Sequence, residues 1–139
     1  MASRNLDIGF IGIGVLGKGR SLALAERGYR VVGAHSRSEA SARWLADRIP
    51  GCDVYASAQA LSDASGLVFI TTPDSAIEEV TRSVNWRYGQ GVAHCYGGAS
   101  IELLKFAAQQ GAMTGAFHPF QTFAGLASSE EAAARLSGV

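Results

Sequence analysis

The six residues Gly12-Ile13-Gly14-Val15-Leu16-Gly17 constrain this chain more than any other part of it. Before them lies Leu6-Asp7-Ile8-Gly9-Phe10-Ile11, a short apolar run that reads as a buried strand of a parallel sheet. After them, from about Val15 to Arg27, Leu16, Leu22, Ala23 and Ala25 give a helix its apolar side, and Gly28 stands where a helix-ending glycine belongs. At such a junction each glycine has its own mechanical reason. Gly12 permits the tight turn out of the strand. Gly14, with no Cβ, lets a diphosphate approach the main chain. Gly17 lets the helix lie close against the sheet. The loop with Ile13, and the first-turn amides near Val15 and Leu16, would then face phosphate oxygens along the helix dipole.

The rest of the chain repeats the strand–helix alternation. Strands are predicted at Tyr29–Ala34, Cys52–Tyr55, Gly66–Ile70, Gly91–Cys95 and Ala112–Phe117. Helices are predicted from a Ser38 cap to about Arg48, over Ser57–Leu61, from a Ser75-Ala76-Ile77-Glu78 capping box to about Ser83, over Ile101–Gln109 before Gly111, and from a Ser128 capping box almost to the terminus. Consecutive βαβ units with right-handed crossovers make one doubly wound α/β domain with a mostly parallel sheet, a Rossmann-type dinucleotide-binding architecture over residues 1–139. A glycine-rich tight turn that binds nothing is the plain alternative. A methyltransferase using S-adenosylmethionine also opens this way, but it would want an acidic residue at the end of the second strand.

That acidic residue is missing. His35-Ser36-Arg37-Ser38 follow the second strand, and Arg37 lies twenty residues past Gly17. Asp or Glu at that point accepts the ribose 2′-hydroxyl of NAD, whereas an arginine fork suits a 2′-phosphate and serine hydroxyls can add bonds. The expected cofactor is therefore NADP, held by Ser36, Arg37 and Ser38 as well as by the glycine loop. Glu39, the nearest carboxylate, falls in a first helical turn where the dipole alone accounts for it.

Ligands of open α/β sheets collect at the carboxyl ends of the strands. The fourth strand ends in Thr71-Thr72-Pro73-Asp74, whose threonines and proline are expected to line the cofactor, with Asp74 as a helix N-cap. His94 closes the fifth strand and His118 follows the sixth; both are expected to face the same crevice, and either imidazole could serve as general acid or base. The plain alternative for each is a buried histidine satisfied by main-chain carbonyls. Cys95 adjoins His94, but strand neighbours point to opposite faces, so a Cys–His pair is not expected.

Composition narrows the classes further. Hydrophobic residues make up 47% and charged residues 17%, which excludes the disordered class. Twelve Lys and Arg balance twelve Asp and Glu without a basic cluster, so nucleic acid is not an expected partner. No apolar run approaches the roughly 18–20 residues that span a bilayer, and no membrane partner is expected. Cys52 and Cys95 have neither disulfide-framework nor zinc-site spacing; no metal is expected, and a reducing cytoplasm is the default location.

The fingerprint from Ile8 to Gly17, Ser36-Arg37-Ser38, Thr72-Pro73-Asp74, His94 and Gly115-Ala116-Phe117-His118-Pro119-Phe120-Gln121-Thr122-Phe123 occur in this order. Together they resemble the N-terminal half of the Rossmann-like proteins with a C-terminal DUF2520 domain, within the wider group of 6-phosphogluconate dehydrogenase, pyrroline-5-carboxylate reductase and prephenate dehydrogenase. The resemblance implies an NADP-binding oxidoreductase domain acting on a small molecule. It also implies that His118 matches a histidine acting on a substrate hydroxyl. Where the family pattern usually has a Ser-Gly pair after His94, this chain has Tyr96-Gly97. Members of the family continue into a helical domain that closes the cleft and pairs two subunits, whereas this chain stops at Val139; a fragment, poor in catalysis by itself, is expected. Three functions follow: a hydride-transferring enzyme with His118 as leading acid/base and His94 second, a nucleotide-sensing module without turnover, or a partner-binding domain that keeps only the fold.

Overall fold

The computed structural model describes residues 6–95 and 101–116. Strands β1 (Asp7–Ile11), β2 (Arg30–His35), β3 (Asp53–Val54), β4 (Leu67–Ile70), β5 (Gly91–His94) and β6 (Met113–Ala116) alternate with helices α1 (Val15–Glu26), α2 (Glu39–Ala46), α3 (Ala58–Asp63), α4 (Asp74–Ser83) and α5 (Lys105–Gln109). The six strands form one sheet in the order β3-β2-β1-β4-β5-β6, and every pairing is parallel. The chain starts at the middle of the sheet, winds outward to one edge, then returns beside β1 and winds to the other. The reversal between β1 and β4 splays the loops that follow them and leaves a crevice at their carboxyl ends.

Successive strand side chains alternate between faces, which divides the apolar residues into two cores. Phe10 and Phe69 are register partners on β1 and β4, with ring centroids 5.2 Å apart. They bury one face together with Leu24 of α1 and Leu45 of α2. Ile11, Val68 and Ile70 bury the other face against Leu61 of α3, Ile77 of α4 and Ala107 of α5. Helices on both sides make the sheet doubly wound, as the sequence predicts.

Where β1 and β2 pair, Gly9 lies beside Gly33. A methyl group at Gly9 would overlap the Ser65 hydroxyl and Leu61, and one at Gly33 would overlap the Tyr55 ring and Leu61. The two bare positions let α3 and Tyr55 press directly onto the sheet.

Helix ends follow the glycines. Gly28 has φ +91°, its N–H donates to Ala25 O, and the N–H of Tyr29 donates to Leu24 O, a closed left-handed cap with Leu24 and Tyr29 buried behind it. Gly111 ends α5 with the same pair of bonds, to Ala108 and Ala107.

Some expected boundaries move. Helix α2 stops at Ala46 rather than Arg48, its last residues passing into turns onto Leu45 O. Helix α4 begins at Asp74, with Pro73 in the cap position and no side-chain cap bond, so neither the Ser75 capping box nor Asp74 is its N-cap. The fixed φ of Pro73, −53°, already starts the turn. The helix predicted over 101–109 opens as a 3₁₀ turn, Ile101–Leu104, where the buried Thr81 hydroxyl of α4 donates to Leu103 O at 3.0 Å. The helix expected from Ser128 lies outside the described residues.

Candidate functional site

At the carboxyl end of the sheet the loops after β1, β2 and β4 enclose a cavity of about 1150 Å³, larger than the ~300–1,000 Å³ typical of pockets for drug-sized molecules. Its floor is the glycine loop. Gly12 has φ +89°, and a Cβ there would lie 2.7 Å from the main-chain N of Thr72. The loop is held from both sides: Gly12 N–H donates to His35 O at 2.8 Å, and Thr71 N–H donates to Ile11 O at 2.8 Å. The Thr71 hydroxyl, buried, donates to Gly12 O. Thr71 touches the cavity, but its hydroxyl is committed to clamping the loop.

Gly14 and Gly17 differ in kind. A Cβ on Gly17 would sit 2.7 Å from both Gly12 O and the Thr71 hydroxyl, so its bareness serves the packing of α1. A Cβ on Gly14 would meet nothing within 4 Å. Gly14 is the N-cap of α1 in extended backbone (φ −97°), without a side-chain cap bond, and the first turn of α1 contains no acidic residue. The Cβ position of Gly14 thus opens on free space at the start of the helix, and no carboxylate of the helix's own first turn competes for its amides.

The β2–α2 loop forms a second wall. Ser36, Arg37 and Ser38 all line the cavity, and Arg37 is exposed. Ser36 Oγ accepts from Ser38 N–H at 3.3 Å, and Ser38 Oγ accepts from Ser41 N–H at 3.4 Å as the cap of α2. Each hydroxyl oxygen has an intramolecular donor, while its own proton can turn toward a ligand. Glu39 is drawn along the helix to Arg43 at 3.0 Å, away from any ribose-binding role.

The third wall is the β4 loop and α4. Thr72 and Pro73 line it, and the buried Thr72 Oγ1 has no hydrogen-bond partner among the described residues. Ala76, Glu79, Val80 and Ser83 follow at i, i+3, i+4 and i+7, one stripe of α4, while Ile77 and Thr81 bury the opposite side. Ala58 and His35 complete the lining. Among the described lining residues Arg37 carries the one guanidinium and Glu79 the one carboxylate.

Nine of the sequence-predicted cofactor residues therefore meet in one cavity: Gly12, Ile13, Gly14, Ser36, Arg37, Ser38, Thr71, Thr72 and Pro73. Val15, Leu16 and Gly17 belong to the helix opening behind it. His94 is fully buried, and Cys95 stands on the cavity wall in its place. His118 lies outside the described residues. The sequence reading passed over the α4 stripe, although its helical spacing is legible, and over His35 at the tip of β2. It also passed over Arg20 of α1, a residue 2% exposed; burial lowers its pKa, and Cys95 acts the other way. Burial raises the Cys95 thiol to about 11, with Arg20 pulling it down, and raises Cys52 to about 11 with Asp53 adding to the effect. No group of three or more His, Cys, Asp or Glu among the described residues is placed to hold a metal, and no helix there is long and apolar enough to cross a membrane.

A parallel sheet in this order with a glycine turn opening its first helix defines a dinucleotide-type α/β domain. The chain belongs to the Rossmann-like domain family, whose model matches residues 1–119. Among solved structures, a candidate NADP oxidoreductase from Bacteroides fragilis is 25% identical with a TM-score of 0.69, over 96% of this chain and 55% of that one. The 3-hydroxyisobutyrate dehydrogenase of Mycobacterium tuberculosis is 20% identical, TM-score 0.69, over 79% of this chain and 39% of its own. A reductive aminase from Aspergillus terreus, solved with NADPH and ethyl levulinate, is 18% identical, TM-score 0.66, over 79% and 39%. The chain thus spans about two-fifths of the length of the dehydrogenase and the aminase. No curated protein matches it.

Proposed function

We propose that this chain is the NADP(H)-binding part of a hydride-transferring oxidoreductase that acts on a small molecule in the cytoplasm. The observation that carries the reading is Gly14: a bare N-cap whose missing Cβ leaves open space where α1 begins, with the loop clamped behind it. That is the shape and polarity a diphosphate requires. The cavity's volume suits a ligand larger than a mononucleotide fragment, and the orphaned Thr72 hydroxyl offers a donor along its path. Solved relatives in this fold include one with bound NADPH, which supports the same cofactor here.

When bound, the nicotinamide supplies the hydride chemistry. The chain's own residues hold and orient it. Gly12 to Gly17 receive the diphosphate on main-chain N–H groups. Arg37 brings a fork to a 2′-phosphate, with the Ser36 and Ser38 protons beside it. Glu39, paired with Arg43, leaves the ribose edge without a carboxylate, so the site is built for NADP rather than NAD. Proton transfer to substrate is assigned to His118; His94, fully buried in β5 and off the cavity lining, is left out of that role. The DUF2520 resemblance, a helical second domain that closes the substrate side and a two-subunit assembly belong to the same proposal.

The test is ligand-induced stabilisation of this chain. NADPH at a hundredfold excess over its Kd should add about 2.7 kcal/mol to unfolding, seen as a rise in Tm, and NADH at the same concentration should add much less. Arg37→Ala should weaken NADPH by about 10- to 100-fold, the worth of a charge-assisted bond, and leave NADH unchanged. Equal binding of both cofactors by the parent chain would remove Arg37 from the 2′-phosphate. A sensing module without turnover is the second reading; it keeps the same affinities and predicts that His118→Asn leaves every function intact.

A further inference from the structure

We infer that His35 is a specificity residue for the dinucleotide ribose, favouring a 2′-phosphate when protonated and accepting a 2′-hydroxyl when neutral. The inference rests on the dinucleotide reading above and goes beyond it, since Arg37 and the serines alone would select the phosphate at every pH.

The geometry begins with the ring. His35 is the last residue of β2, lines the cavity and adjoins Ser36 and Arg37. Its Nδ1 lies 2.9 Å from the carbonyl oxygen of Tyr55. A carbonyl can only accept, so Nδ1 carries the proton and the tautomer is fixed. The main chain is fixed as well, because His35 O accepts from Gly12 N–H at 2.8 Å. Tyr55 in turn has its ring against Gly33 and donates from its N–H to Ala34 O at 2.9 Å. A ring held by its backbone and by one nitrogen has a single chemical variable left, the state of Nε2.

Neutral Nε2 is an acceptor. It suits a hydroxyl, which can donate, and opposes a phosphate, which near neutrality offers only oxygens. Protonated Nε2 is a charged donor and reverses both preferences. Imidazole is the side chain that changes charge near neutrality, and a phosphate dianion beside it pulls it toward the charged form. Among the described residues, the charged and titratable groups near it are few, and on the neighbouring β3 Asp53 is the register partner of Gly33. Arg37 on the same loop is cationic, and Glu79 across the cavity on α4 is a carboxylate. Burial holds the Cys95 thiol protonated near pH 7, the Tyr55 ring packs against Gly33, and α2 presents Glu39 already paired with Arg43. The β1 loop and α3 contribute only Gly12, Ile13, Gly14 and Ala58.

The experiment is calorimetric titration of the chain with NADPH, NADH and ADP from pH 6.5 to 8.5, for the parent, His35→Asn and His35→Gln. The range stays above the second ionisation of a phosphate monoester, near pH 6, which would work in the opposite direction. His35→Asn can keep the donor to Tyr55 O while deleting Nε2; His35→Gln places an uncharged amide near the Nε2 position, and a thermal melt of each reports folding. In the parent, the NADPH-to-NADH affinity ratio should rise at least threefold as pH falls across this range. In both variants the ratio should change by less than twofold. A ratio that is flat in the parent, or that keeps its slope in a folded variant, overturns the role of His35 while leaving the cofactor site standing. Failure of NADPH, NADH and ADP to bind at any pH overturns the dinucleotide reading and this inference with it.

Discussion

Gly14 and Gly17 sit three residues apart in one motif, yet they answer to different physics, and substitution separates them. Gly14→Asp puts a favoured N-cap residue in compatible extended backbone with nothing to collide with. Unfolding stability should be unchanged or raised by a few tenths of a kcal/mol at about 25 °C, while the carboxylate occupies and repels the diphosphate position, so NADPH should no longer raise Tm. Gly17→Ala should do the reverse of that ordering: its methyl meets a main-chain oxygen at 2.7 Å, and overpacking of this kind costs about 1–3 kcal/mol, read as a lower denaturation midpoint. If both substitutions behaved alike, the split between a ligand-facing and a packing glycine would be wrong. The sequence motif already separates a glycine bare toward a ligand, Gly14, from one bare toward the sheet, Gly17. The neighbours, Thr71 above all, add the atoms that a side chain at Gly17 would meet and one at Gly14 would not. Residue identity also concealed His35, whose part emerges only where its Nδ1 reaches Tyr55 O.

Elements were the most legible level. The apolar runs of β1 and β4, the Ser38 cap of α2 and the closing glycines of α1 and α5 each reflect a local rule, and none depends on distant partners. What stayed hidden depends on contacts far along the chain. The opening of α4 is set by Pro73 rather than by a capping serine, and the first turn before α5 is tightened where Thr81 reaches Leu103 O. The stripe of α4 facing the cavity was readable from its i, i+3, i+4, i+7 spacing, but polar Glu79 and Ser83 made it look like an ordinary solvated face. This stripe can be tested as an element. Ala76→Phe projects a ring from partly exposed helix surface into the cavity, so the melting midpoint should stay within about 1 kcal/mol of the parent and NADPH affinity should fall at least tenfold. In the core, by contrast, Phe10→Ala removes one half of the Phe10–Phe69 stack and should cost about 3–5 kcal/mol by denaturant titration.

For the whole molecule, the two buried thiols set an alkaline limit. Both are raised from 9.0 to about 11 in the folded chain, chiefly by burial. Their folded pKa lies above the unfolded one, so the stability tied to the neutral thiols is complete below about pH 9 and is lost as pH rises toward about 11. A Cys52→Ala, Cys95→Ala double variant should lose less stability over that interval than the parent, measured by urea midpoints at each pH. Near pH 7.5 neither thiol should react with an alkylating reagent until the chain unfolds.

The seam of bare positions at Gly9 and Gly33 reaches further than packing. Tyr55 can rest on the sheet only because Gly33 has no methyl, and the carbonyl of that same Tyr55 orients the His35 ring. An added carbon atom in the middle of β2, remote from any nucleotide, would tilt the tyrosine and carry the imidazole with it. Preference between two coenzymes could then drift through changes to the floor beneath the site, with every residue that touches the coenzyme left as it is.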